Sequence, residues 1–168
     1  MDGGTGFPPV LDATARVLVL GSFPSIRSLE AGQYYAHPQN AFWKILGCLL
    51  GAGPQVAYPE RLAILKRSGI ALWDVLENCV RPGSMDGAIV EKDSRPNDFM
   101  AFFEIAGNIE RVCFNGRKSE QMYRKLVLPT LPETFSSIET VVLPSTSPAY
   151  ASMRFVEKLE KWRREVRV

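Results

Sequence analysis

The chain has 168 residues, with 20 Lys and Arg against 18 Asp and Glu, a net charge of +2 too small to announce a nucleic-acid binder. Its length fits one domain over 1–168, since domains commonly run to ~100–200 residues, and no run approaches the ~18 apolar residues of a membrane span. Three scattered cysteines (Cys48, Cys79, Cys113) and a single His37 cannot complete a zinc or iron–sulfur site, so no metal and no cofactor is expected and the thiols are read as small packed hydrophobes.

The start, MDGGTGFPPV, lacks the basic and apolar regions of a secretory leader, and a cytoplasmic protein is expected. Residues 1–14 read as a loose leading segment. Residues 16–20 (RVLVL) are a continuous apolar, β-branched run that fits a strand buried on both faces. Similar runs lie at Gly69–Trp73, Ile109–Phe114 and Ile138–Leu143. Between them Phe42, Ile45, Leu46, Leu49 and Leu50 recur at helical spacing, as do Phe155, Val156, Leu159, Trp162 and Val166 at the end. Strands alternating with helices predict a three-layer α/β/α sandwich around a central parallel sheet of about four strands. Ligands of such sheets sit outside the carboxyl ends of the strands.

Those ends carry the unusual segments. The first strand runs into Gly21-Ser22-Phe23-Pro24-Ser25, where Gly21 permits a tight turn and Pro24 stiffens it, presenting backbone N–H groups and a ring to a planar ligand. Next comes Tyr34-Tyr35-Ala36-His37-Pro38-Gln39-Asn40-Ala41-Phe42-Trp43, in which Asn40 is placed to cap a helix. His37 reads either as a loop hydrogen-bonder or as an acid–base group. Asp74 ends the second strand, where helix capping competes with a role on a ligand. Asn115-Gly116 ends the third, as a turn or as a ligand-facing amide. Leu143-Pro144-Ser145-Thr146-Ser147-Pro148-Ala149 leaves the last strand, with Ser147 as expected N-cap and Pro148 at the first helical position. Hydroxyls and free amides there suit a phosphate. From Arg154 to Arg167 six Lys and Arg face three Glu, which reads as a solvated helix face.

Together these motifs resemble the uracil-DNA glycosylase superfamily. The match rests on Gly-x-x-Pro after the first strand, x-Pro-x-Asn-x-Phe-Trp before a helix, and Pro-Ser-x-Ser-Pro after the last strand. Phe114-Asn115-Gly116-Arg117-Lys118 is similar to a segment of the mismatch-specific thymine/uracil branch. Uracil-specific members carry Asp in the first loop and the mismatch-specific branch carries Asn; here that loop has Phe23. Their last-strand loops begin with His or Asn, where this chain has Leu143. The combination looks like the hypoxanthine-DNA glycosylase branch.

The resemblance implies a base-excision repair enzyme that flips a deaminated base, hypoxanthine above all, out of DNA and hydrolyses its N-glycosidic bond. It makes Asn40 the catalytic residue, holding a water against C1′, and Asn115 a donor to the developing charge on the base. Gly21, Ser22, Phe23, Pro24, Tyr35, His37 and Asp74 would bind the base, Phe23 by stacking and Asp74 by accepting from N1–H. Ser25, Ser145, Thr146 and Ser147 would hold DNA phosphates. None of the three loop motifs, 21–25, 34–43 and 143–149, contains a Lys to form a Schiff base, so a monofunctional glycosylase is expected. A monomer acting on DNA with deaminated bases, in the cytoplasm at the nucleoid, completes the expectation. Uracil excision, damage binding without cutting, and a nucleoside- or nucleotide-binding hydrolase are the alternatives.

Overall fold

A computed structural model describes residues 3–167. In chain order the strands are β1 (Gly3–Thr5), β2 (Val17–Gly21), β3 (Ile70–Asp74), β4 (Leu76–Val80), β5 (Arg95–Pro96), β6 (Arg111–Asn115) and β7 (Glu139–Leu143). The α-helices are α1 (Ile26–Ala31), α2 (Phe42–Leu50), α3 (Tyr58–Arg67), α4 (Phe99–Ile105), α5 (Arg117–Met122), α6 (Glu133–Ser136) and α7 (Phe155–Glu165).

The four expected apolar runs form one parallel sheet in the order β3-β2-β6-β7. Its two faces are sorted by the two-residue period of a strand. Leu18, Leu20, Ala71, Trp73, Val112 and Phe114 pack towards Phe99, Phe102 and Phe103 of α4 and Met122 of α5. Val17, Val19, Ile70, Leu72 and Cys113 pack on the other side, with Phe42, Ile45 and Leu46 of α2, Leu65 of α3 and Trp162 of α7. Helices on both faces of a parallel sheet make the three-layer sandwich.

Several details depart from the sequence reading. The leading segment is tied down from Gly3 onward: β1 pairs with β4, Val10 bonds Leu72, and the Phe7 carbonyl accepts from the Trp73 indole. With β5, these strands form a small antiparallel sheet, β1-β4-β5. The last helix begins at Phe155, not at Pro148; its N-cap is Arg154, closed by Glu157. The Ser147 hydroxyl accepts from the Ala149 N–H at 3.2 Å inside a turn whose Tyr150 N–H reaches the Ser147 carbonyl. That local bond satisfies the serine without a helix. Phe155 and Val156 remain exposed, so the buried apolar stripe of α7 is Leu159 and Trp162, continued by Val166 at its C-cap. Cys79 and Cys113 are buried as expected, whereas Cys48 is exposed. Among the described residues, no helix is long and apolar enough to cross a membrane.

Candidate active site

A cavity of about 600 Å³ opens at the carboxyl ends of β2, β3 and β6 and takes in the loop leaving β7. All thirteen residues singled out above line it. A volume of this size falls in the range of ligand pockets, ~300–1,000 Å³.

Its floor explains Gly21. This residue lies within β2 and is not in the left-handed region, so a turn is not what demands glycine. A Cβ there would stand 2.5 Å from Asp74 Oδ1 and 2.7 Å from the Tyr35 hydroxyl. Tyr35 takes a φ of 54°, unusual for a residue with a side chain. Its ring stacks on Phe42 with centroids 4.1 Å apart. The Tyr35 hydroxyl and Asp74 Oδ2 are both buried without a hydrogen-bond partner. An unpaired buried polar atom costs free energy, and such atoms concentrate where ligands complete the structure. Burial, reinforced by nearby Asp86 and only partly offset by Arg81, pushes the Asp74 carboxyl up to about 7.

One wall is braced from β6. Asn115 Nδ2 donates to the Thr146 hydroxyl, and the Thr146 N–H donates back to Asn115 Oδ1, both at 2.9 Å. The Thr146 carbonyl in turn accepts from the Ala41 N–H at 3.0 Å, which ties the Asn40 loop to the loop after β7. Thr146 is buried, so its expected place on a phosphate is corrected: its hydroxyl is inside, taken by Asn115. Asn115 keeps one amide hydrogen for another partner. Gly116, with φ of 91°, brings this strand end against Ser145, where a Cβ would come to 3.2 Å. The Ser145 hydroxyl accepts from the Ser147 N–H at 3.2 Å.

Asn40 is half-buried at the cavity edge, one residue before the N-cap of α2, which is Ala41 rather than Asn40 as expected; its Oδ1 still accepts from the Phe42 N–H at 2.9 Å. The capping bond and a role on a ligand are therefore compatible, because one lone pair and the amide Nδ2 stay free. His37 Nδ1 accepts from the Gln39 N–H, the loop-bonding role. Ser25 caps α1 by accepting from Ser28 N–H at 3.1 Å, which engages the hydroxyl expected on DNA.

The chain matches the family model described as the Uracil DNA glycosylase superfamily over residues 8–167. The chain belongs to the uracil DNA glycosylase superfamily. A hypoxanthine DNA glycosylase of Methanosarcina acetivorans is 41% identical over 145 residues, 86% of each chain. One from Methanosarcina barkeri is 44% identical over 115 residues, 68% of this chain and 72% of its own. A solution NMR structure from M. acetivorans, described as a candidate uracil DNA glycosylase, superposes with a TM-score of 0.77 at 36% identity, covering 99% of this chain and 100% of its own.

Two residues of this superfamily member were not singled out from sequence. Arg81 is buried beneath the first loop, where its guanidinium donates to the Pro24 and Gly83 carbonyls. It also lies over the Phe23 ring, 5.4 Å from its centroid, and only 9% of Phe23 is exposed. Little of the ring is left to stack on a base, and that expectation for Phe23 is corrected: its partner is Arg81. Asp86 follows on the same loop, accepting from the Ser22 hydroxyl at 3.0 Å and standing 3.6 Å from Arg81. Both belong to Arg81-Pro82-Gly83-Ser84-Met85-Asp86, whose proline and glycine read as a turn. The one available signal was an Arg and an Asp flanking that turn.

Proposed function

We propose that this site flips hypoxanthine out of DNA and hydrolyses its N-glycosidic bond by monofunctional chemistry. The observation that carries the reading is the meeting of the three motif loops in one cavity, with the Asn40 loop bonded to the loop after β7 through Ala41 and Thr146. Extruding the nucleotide costs a few kcal/mol, least for a mispaired base such as deaminated adenine. Asn40 then holds a water against C1′. Its bond to the Phe42 N–H fixes the amide, so the free lone pair is aimed before the substrate arrives. Negative charge develops on the base, and Asn115's remaining amide hydrogen and the backbone of the Gly21–Ser25 loop are the donors for it. Asp74 accepts from the base N1–H. Among the described residues the cavity lining contains no lysine, which fits hydrolysis without a Schiff base. The enzyme works as a monomer at the nucleoid.

Duplexes each holding one deaminated base, incubated with the protein in excess, test this directly. Free hypoxanthine should appear fastest. The uracil duplex is the informative competitor, because the solved relative carries that description. Release of no base, with tight and salt-sensitive DNA binding, would leave a damage-binding protein; no salt-sensitive DNA binding would leave a small-molecule hydrolase.

Ser145 and Ser147 line the rim and hold the phosphates beside the flipped nucleotide in this reading. Changing both to Ala should weaken DNA binding about equally on damaged and undamaged duplexes, since phosphate contacts carry little base information. Stability should change little, because neither serine caps α7. A loss confined to hypoxanthine duplexes would place these serines on the base instead.

A further inference from the structure

Two carboxyls share this pocket with unequal company. Asp86 accepts from the Ser22 hydroxyl and lies 3.6 Å from the Arg81 guanidinium; burial raises its carboxyl, and these two groups work against that rise. Asp74 is 4% exposed, its side chain makes no hydrogen bond among the described residues, and no cation pairs with it. Its backbone carbonyl is used, by the Asn97 amide, and its side chain is not. A buried carboxylate without a partner is costly, and the ordinary escape is to stay protonated. The groups facing it are the Tyr34 and Tyr35 hydroxyls from the loop before α2, the Cys79 thiol of β4, and Asp86 and Arg81 from the loop after β4. Arg81 gives Nε and Nη2 to the Gly83 and Pro24 carbonyls, while its Nη1, 3.6 Å from Asp86, makes no hydrogen bond among the described residues; its charge offsets only part of the effect on Asp74, where burial dominates.

We propose that Asp74 acts as a neutral acid held so by its burial, its carbonyl oxygen accepting from the base N1–H while its O–H donates to the six-position oxygen, with Asp86 as a positioning residue that adds to the effect of burial. The inference rests on the hypoxanthine reading and gives Asp74 a part in the chemistry. A neutral carboxyl presents one donor and one acceptor side by side, which matches an N–H beside a C=O and mismatches two acceptors. As the C1′–N9 bond breaks, its electron pair passes to the base and charge spreads to the six-position oxygen. The Asp74 O–H stabilises it there without leaving the carboxyl. The water's oxygen bonds to C1′, its proton goes to solvent, and the departing base takes a proton from solvent, so one water is consumed. With both Asp74 and Asp86 ionised, the pocket would repel the charge the reaction creates.

The sign of the pH dependence follows. The acid form dominates below about 7 and is lost as pH rises through it. Single-turnover release of hypoxanthine from a duplex, measured with the full chain between pH 6 and 8, should slow by about tenfold, the change expected of one proton titrating mid-range. This window lies below the ionisation of the base itself. Asp74→Asn, which keeps a donor and an acceptor, should lose this pH dependence and at pH 8 run at least about tenfold faster than Asp74→Ala. Asp86→Asn should move the midpoint to lower pH, by removing the like charge while still accepting from Ser22. A wild type that cuts equally well at pH 6 and 8, or an Asp74→Asn variant that keeps the alkaline fall, overturns the neutral acid and leaves the hypoxanthine reading standing. A protein that releases no hypoxanthine at any pH sinks that reading itself. Should the Asp74 variants fail to fold, the Asp86→Asn midpoint decides.

Discussion

Asn40→Ala is expected to slow single-turnover cleavage of hypoxanthine-containing DNA by roughly a hundredfold or more, a loss of ~2.7 kcal/mol from the transition state. An amide does not titrate usefully near neutral pH, so its contribution is to orientation, and orientation is lost completely when the side chain is truncated. Affinity for the same duplex should hardly change, because the water is not a DNA contact. The same substitution removes the acceptor of the Phe42 N–H, and loss of a cap costs about 0.5–2 kcal/mol of stability. Melting temperature must therefore be measured alongside. Asn40→Asp separates the two effects, since a carboxylate caps a helix start at least as well and can also accept the water's proton. An alanine variant that is folded and cuts within about threefold of wild type, a barrier change below ~0.7 kcal/mol, would remove Asn40 from the mechanism.

The central sheet was legible because buried parallel strands write themselves as unbroken β-branched runs, and each of these ends at a residue that cannot continue the pattern: Gly21, Asp74, Asn115 or the Leu143-Pro144 pair. The small sheet was not legible. Its strands are Gly3–Thr5, Leu76–Val80 and Arg95–Pro96, and two of the three have no apolar period at all. They are strands because distant segments pair with them, a tertiary effect that overrides local preference. The start of α7 was misread for a local reason. Ser147-Pro148 carries the chemistry of a helix start, but a serine hydroxyl bonds an N–H two residues on equally well in a turn.

The site divides along the same line. Residues whose motif fixes their environment, such as Asn40 before the buried Phe42 and Trp43, line the cavity, although the N-cap itself falls one residue later, on Ala41. Residues whose role depends on a partner far along the chain do not. Thr146 looked like a phosphate ligand until Asn115, 31 residues earlier, claimed its hydroxyl. Phe23 looked like a stacking platform until Arg81 covered it. Arg81 holds Pro24 across 57 residues and Asp86 meets Ser22 across 64, separations that no short motif records.

Gly21 tests how rigid that assembled floor is, and Gly21→Ala is expected to be among the most damaging single methyl additions in the chain. The added carbon would start 2.5 Å from Asp74 Oδ1 and 2.7 Å from the Tyr35 hydroxyl, inside any tolerable contact. Backbone movement cannot relieve it cheaply. Gly21 pairs with Asp74 in the parallel sheet, and its carbonyl accepts from the Val75 N–H at 2.9 Å. Tyr35 is held by its stack on Phe42, and Asp74 is only 4% exposed. Overpacking of this kind costs about 1–3 kcal/mol of stability, so the variant should still fold with a lowered melting temperature. Excision should fall by roughly a hundredfold, ~2.7 kcal/mol, because the groups displaced are those that meet the base. Binding to undamaged DNA should be nearly unchanged, since the rim serines do not move. Gly107→Ala is the matched control: a Cβ there meets no atom closer than 3.9 Å, and the residue lies outside the cavity. If Gly21→Ala cuts within about threefold of wild type, Asp74 and Tyr35 yield without consequence and the floor is not the recognition element.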